Sequence, residues 1–363
     1  MDFSKIFIKD ACPTKIGGQA VMEGIMMKGE DRTALCVRVP DGHMYMETEK
    51  LKPQGRWHKA PIVRGVFIFV EALTTGVRAL MKSAEVLEAA GAWDVPAGSS
   101  GADELAESSE SPPPTLEDRF THWLENTFGE GAAMKFALVM SVVIAIVFSV
   151  GIFIVLPTWV MNFLGSAVEN AVALNFIEGG LRISLFILYI ACVSRMKDIQ
   201  TVFKFHGAEH ECIHCFESGL DLTPANCQKF ETLHPRCGTS FLMFVMVIAL
   251  LLFSMLGWPD LLPRVISRIV LIPVIAGLSY ELLRWAGRST SPVVKILSVP
   301  GLLLQKLTTI RPDEKQLEVA IAAMKAVLVP AETPVFGGYC DADGSPIEGE
   351  SDEQDAKEER ILV

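Results

Sequence analysis

Basic residues are scarce in this chain. Only 32 of its 363 residues are Lys or Arg, against 43 Asp or Glu. Nucleic-acid binding starts from a basic patch, so the balance argues against that class. Nor does the formal charge of −11 describe an acidic soluble domain, because residues 101–118 hold six acids and no base, and residues 341–363 hold nine acids against Lys357 and Arg360. No phosphate loop, dinucleotide-binding glycine motif, nucleophile elbow, heptad pattern or internal repeat is present, which leaves nucleotide chemistry and elbow-type hydrolases without support. Residues 1–10 lack the apolar run of a secretory signal, so the soluble parts are expected to stay in the cytoplasm with reduced thiols. The eight cysteines are therefore expected to serve metal ligation or burial rather than a disulfide framework.

Apolar residues fill the space that charge leaves: half the chain is hydrophobic and the mean hydropathy is +0.35. The composition predicts a mainly α, multispanning helical membrane protein with about four transmembrane helices, a small N-terminal partly β segment and amphipathic interfacial helices. The spans are expected near 137–157, 176–194, 238–258 and 265–283. Residues 158–177 hold no Lys or Arg, whereas 195–237 holds Arg195, Lys197, Lys204, Lys229 and Arg236. The positive-inside tendency therefore puts this loop and both termini in the cytoplasm.

The remaining segments read as follows. Residues 1–60 are glycine-rich with a hairpin around Asp41-Gly42, and 61–93 form an amphipathic or re-entrant helix, with a full span as its rival. Residues 94–118 make a flexible acidic linker, 119–292 the membrane domain, 293–334 amphipathic C-terminal helices, and 335–363 a disordered acidic tail.

Within the cytoplasmic loop, KFHGAEHECIHCFESG (204–219) holds three of the seven histidines at four-residue spacing. If 201–217 is helical, His206, His210, His214, Glu217 and Glu209 share an arc of about 140°, and Cys212 and Cys215 point away. His206-Gly-Ala-Glu-His210 fits H-x-x-E-H, in which two histidines hold zinc and the glutamate between them acts as base. A second group, His234-Pro-Arg-Cys237, precedes the third span. The ligand set is expected to be His206, His210 and either His214 or His234, with Glu217 as an oxygen alternative. Cys237, near a helix start, is a further ligand or a small packing residue. Glu209 is the candidate base. Arg236 is a candidate for holding an anion or a developing oxyanion, or it serves a helix start or a phospholipid surface. The expected cofactor is a divalent metal ion, zinc foremost. The competing account is a polar helix face that water or packing explains. Earlier, KIGGQAVMEGIMMKG (15–29) is either a folded entry segment or a loop completing the histidine site through Gln19 or Glu23.

GGQAVMEGIMMKG (17–29), PIVRG (61–65), SRMKDI (194–199), FHGAEHECIHCFESG (205–219), LHPRCGTSFL (233–242) and AGLSYELLRWAGR (276–288) occur in an order that resembles the YqhQ-like family of bacterial integral membrane proteins. The resemblance runs from about residue 15 to 328. It implies a multi-pass protein of the bacterial inner membrane and a metal-dependent enzyme, the latter on the same motif histidines. Glu211, Cys212 and Cys215 depart from the family's usual residues, so C-x-x-C chemistry reads as incidental.

The leading expectation is a metal-dependent hydrolase facing the cytoplasm, acting on a peptide or lipid-linked substrate. A noncatalytic scaffold with a structural metal site is the alternative, and a transporter using Glu178, Arg182 and Glu281 a third. The expected partners are the lipid bilayer and either another membrane protein or a second copy of the chain.

Overall fold

Alternating apolar residues on either side of Asp41-Gly42 fold as a hairpin, and glycine-rich segments extend it. Strands β1 (Gly17–Val21), β2 (Gly24–Lys28), β3 (Arg32–Arg38) and β4 (Met44–Lys50) form an antiparallel meander. Cys36 lies opposite Met46, and Val37 opposite Tyr45. The GGQAVMEGIMMKG stretch is thus a strand pair, and Glu23 takes φ +47° in its turn. This computed structural model describes residues 6–8, 12–52, 55, 60–92, 132–164, 170–257, 261–289, 291–341, 344–345 and 347. The linker at 94–118 and the acidic tail beyond 347 lie outside them.

Ten helices follow β4 among the described residues: α1 (Val63–Ala89), α2 (Ala132–Val150), α3 (Leu156–Leu164), α4 (Ala171–Val193), α5 (Lys197–Glu217), α6 (Pro224–Cys227), α7 (Gly238–Met255), α8 (Leu261–Ala286), α9 (Pro292–Thr308) and α10 (Glu314–Leu328). A π turn at Gly151–Val155 joins α2 to α3; Pro157, which has no N–H and crowds the carbonyl four residues back, accounts for the break in the α-helical ladder. Strand β5 (Gly337–Cys340) then pairs with β4, completing the order β1-β2-β3-β4-β5. Composition had marked everything from 335 as disordered. Hydrogen bonds between Thr48 and Phe336 begin the pairing.

Two compact units emerge, residues 1–93 with 187–363, and residues 94–186. In the first, period-2 alternation gives the sheet two apolar faces. Ile25, Met27, Ala34, Cys36, Met44 and Met46 pack on α5 and α10. Met26, Leu35 and Val37 pack on Ala79, Val86 and Leu87 of α1. The other half of α1 lies on α8, where a Cβ at Gly65 would come within 2.9 Å of the Gly277 Cα, and Arg64 pairs with Glu281. Helix α10 starts after the Pro312 turn with an Asp313–Gln316 capping box. In the second unit, Glu178 and Arg182 form an ion pair one turn apart on α4.

Among the described residues, three helical stretches are long and apolar enough to cross a membrane: Ala171–Val193, Gly238–Met255 and Ile266–Ala286. Near the remaining expected span the described apolar stretch is Val143–Phe153. Helix α1 leaves Phe67, Val70, Leu73, Val77 and Met81 exposed along one side.

Candidate metal centre

Helix α5 ends where Gly219 adopts φ +72° and Leu220 N–H reaches back to the Cys215 carbonyl, a closure that favours glycine. Both of its faces are covered. Phe205, Ala208, Cys212, Ile213 and Cys215 join the sheet core, and Cys212 lies 3.7 Å from Cys227 there. On the polar side, Glu209, His210, His214 and Glu217 are all at most 6% exposed, so this is not a solvated face.

His206, His210 and Cys237 converge so that one ligand atom from each lies within 4.8 Å of the others. His206 Nδ1 is 2.8 Å from the Thr308 carbonyl, and its Nε2 is 3.0 Å from Cys237 Sγ. His210 Nδ1 is 2.5 Å from the Thr232 carbonyl. Since a carbonyl only accepts, each Nδ1 carries the hydrogen and donates, and each Nε2 is left for a ligand. Thr308 ends α9, so His206 satisfies a helix-terminal carbonyl. Cys237 caps α7 and accepts from the Thr239 N–H at 3.4 Å, where the helix terminus favours thiolate.

A glycine enables this convergence. A Cβ at Gly207 would fall 2.1 Å from the Ile310 carbonyl oxygen, so α5 could not approach the end of α9 as it does. Gly207→Ala is therefore expected to destabilise the protein by about 1–3 kcal/mol, the usual cost of overpacking, and to weaken metal retention. Thermal unfolding and metal content, measured together, check this; unchanged values in both would refute the close-approach role.

Glu209 is held by a strand. Its Oε1 accepts the Gly18 N–H at 2.7 Å, and a Cβ at Gly18 would meet the Met26 carbonyl at 2.7 Å and Glu209 Cδ at 3.1 Å. Glycine alone lets β1 lie this close. Burial raises the Glu209 pKa, against the charges of His210 and His206. For His206, burial favours the neutral ring, but Cys237 outweighs it and the pKa rises to about 9. Burial raises the Cys237 thiol, but His206 and His210 outweigh it and bring it well below its usual value.

The other expected ligands have other partners. Glu217 Oε1 accepts from Thr14 N–H at 2.7 Å and Thr14 Oγ1 at 2.9 Å, and it pairs with Arg236, whose Nη1 donates to the Thr14 carbonyl at 2.7 Å. His214 Nε2 donates to the Leu233 carbonyl at 3.0 Å. His234 Nδ1 accepts the Arg236 N–H at 3.3 Å, and Gln305 bonds both its backbone N–H and its carbonyl. Burial lowers the pKa of both rings, His214 to about 4. The four imidazoles nevertheless run in a row, with ring centroids 4.5 Å apart for His206 and His210, 5.5 Å for His210 and His234, and 4.6 Å for His234 and His214. Gln19 packs against Gly76 of α1, where a Cβ would lie 2.1 Å from its Oε1, and neither it nor Glu23 joins the cluster.

A family model described as "Protein of unknown function (DUF1385)" matches residues 60–329, about three quarters of the length. The chain belongs to that family. His206, Glu209, His210 and Cys237 all fall within the family's matched segment, whereas Gly18 precedes it. The protein is 32% identical over 324 residues to "Uncharacterized protein YqhQ" of Bacillus subtilis (strain 168), covering 88% of this chain and 94% of that one. No solved structure matches the chain.

The groups missed by side-chain motifs are mostly backbone: Gly18 N–H and the carbonyls of Thr232 and Thr308. Their one visible signal is glycine, at Gly18 and inside the helix at Gly207.

Proposed function

We propose that the protein is a zinc-dependent hydrolase of the bacterial inner membrane, with its site on the cytoplasmic side beside the bilayer. The carrying observation is the pair of histidines whose Nδ1 atoms are tied to carbonyls, facing Cys237 Sγ. Two imidazoles and a thiolate suit zinc, and three protein donors leave a fourth position open, as in catalytic zinc sites. When bound, the ion supplies Lewis-acid polarisation of a water or a substrate carbonyl or phosphoryl oxygen. Glu209, its Oε1 fixed by Gly18 and its pKa raised by burial, would serve as the base that takes a proton from water and the acid that returns it to the leaving group. The three apolar helices and the excess of Lys and Arg in the 195–237 loop support the membrane setting.

The test uses full-length protein in neutral detergent, loaded with zinc and assayed on ester, amide and phosphoester substrates in mixed micelles. Glu209→Gln is expected to keep zinc and lose hydrolysis by about 100-fold or more, the scale of a lost general base. Equal hydrolysis in both proteins sinks the base assignment. Retained zinc with no hydrolysis in either favours a structural clamp joining α5 to α7.

One observation favours a second reading. Cys237 at a helix start, 3.0 Å from a histidine whose other nitrogen is held by Thr308, also has the form of a thiolate nucleophile with its base. A zinc-bound sulfur cannot serve that role. Iodoacetamide is expected to modify Cys237 in chelator-treated protein and to be blocked by added zinc; purified protein lacking metal, with Cys237 freely alkylated, would favour the nucleophile.

A further inference from the structure

A cavity of about 220 Å³ adjoins the centre, and Ile6, Phe7, Ile8, His234, Arg236 and Arg288 are among its lining residues. Its place in the fold is informative. Residues 234–236 lead into α7 at Gly238, and 286–289 leave α8 after Ala286, so the cavity lies where two helices apolar enough to cross a membrane give way to charge.

Its charge is also informative. Glu217 offsets Arg236. Arg288 has no acidic partner among the described residues, and neither does Lys295, whose ammonium sits 5.9 Å from the Phe7 ring centroid. Arg288 therefore leaves the described lining of the cavity with a positive balance, and Lys295 stands next to Phe7 rather than on the wall. Beyond Lys295, the first turns of α9 present Val293 and Ile296 at 57% and 70% exposure. The volume falls below that of pockets that enclose a drug-sized ligand, so it has room for a small polar group.

We propose that this cavity binds the phosphate headgroup of an anionic membrane lipid, with Arg288 holding the phosphate and Ile6, Phe7 and Ile8 receiving the glycerol end. Arginine supplies the charge-assisted hydrogen bonds that phosphate accepts. The His234 ring, on the cavity wall, has its centroid 5.5 Å from that of His210. A lipid held here lies beside the metal ligands, so the substrate class becomes an anionic lipid or lipid-linked compound. As a statement about substrate this rests on the hydrolase reading. As a statement about binding it does not.

The test measures anisotropy of a fluorescent short-chain phosphatidic acid added to the full chain in neutral detergent. Saturable binding is expected, weakened at least tenfold in Arg288→Ala, and retained in Glu209→Gln and in chelator-treated protein. Binding that persists in those last two while hydrolysis is absent upholds the lipid site even if the hydrolase reading fails. Equal binding of uncharged diacylglycerol, or no loss in Arg288→Ala, overturns the proposal. Inorganic phosphate competing as well as the lipid, mole for mole, overturns the lipid assignment and makes the cavity a free-phosphate site.

Discussion

Arg236→Ala is expected to destabilise the protein by about 3–5 kcal/mol, the cost of stranding one partner of a buried ion pair. The Glu217 side chain is only 5% exposed, and that of Arg236 20%. One carboxylate oxygen of Glu217 gathers the guanidinium, the Thr14 N–H and the Thr14 hydroxyl, while Arg236 also holds the Thr14 carbonyl. This clasp ties three separate segments together: residues 12–14, the end of α5 and the approach to α7. Without the guanidinium, a carboxylate remains buried against two neutral donors. Glu217→Ala should cost a similar amount for the mirrored reason. The double variant should cost well under the sum, because removing both charges removes the uncompensated one. Thermal and urea unfolding in detergent give the double-mutant cycle. A change below about 1 kcal/mol in Arg236→Ala, the range of exposed pairs, would refute the buried-clasp description.

The helix at 201–217 was legible because histidines at i, i+4 and i+8 share a face whatever covers them, and the structure extends it only to Lys197–Glu217. The hairpin at Asp41-Gly42 was legible because alternation and turn chemistry agree locally. Strand β5 was not. Four residues in an acidic, proline-flanked tail carry no strand signal of their own, and their order comes from pairing with β4 nearly three hundred positions earlier. The site divides in the same way. The motif marks which histidines are candidates, but which nitrogen each keeps free depends on carbonyls at Thr308, Thr232 and Leu233 brought in from other elements. A backbone carbonyl has no residue type to read. Glu217 and Arg236 were likewise visible as a candidate oxygen ligand and a candidate anion holder, yet their attachment to each other and to Thr14 is a long-range contact that spacing does not encode. Charge sign alone would have suggested it, once the two segments were known to meet.

Alanine at His206, His210 or Cys237 is expected to lower zinc affinity by at least about 100-fold, the upper end of what even outer-shell losses cost. Alanine at His214 or His234 should cost less than about tenfold. The four rings lie in one row, so proximity does not separate them; the direction of their lone pairs does. His206 and His210 commit Nδ1 to carbonyls and turn Nε2 toward Cys237 Sγ. His214 commits Nε2 to Leu233. His234 accepts at Nδ1 from the Arg236 backbone, and its Nε2 stands 3.5 Å from the Arg236 guanidinium, a cation that opposes a second cation at the same nitrogen. Competition with a chromophoric chelator measures each affinity. Cys237→Ser provides an internal check, since a neutral hydroxyl replaces a thiolate without creating a void, and its loss should approach that of alanine if sulfur is a ligand rather than a packing atom. Should His234→Ala release zinc as readily as His206→Ala, the guanidinium would have to swing away from His234 on metal binding. The Glu217–Arg236 clasp would then have to open, and the clasp variants would have to bind zinc more tightly than wild type. The geometry predicts instead that clasp and metal centre are independent, with zinc affinity in Arg236→Ala unchanged even as stability falls.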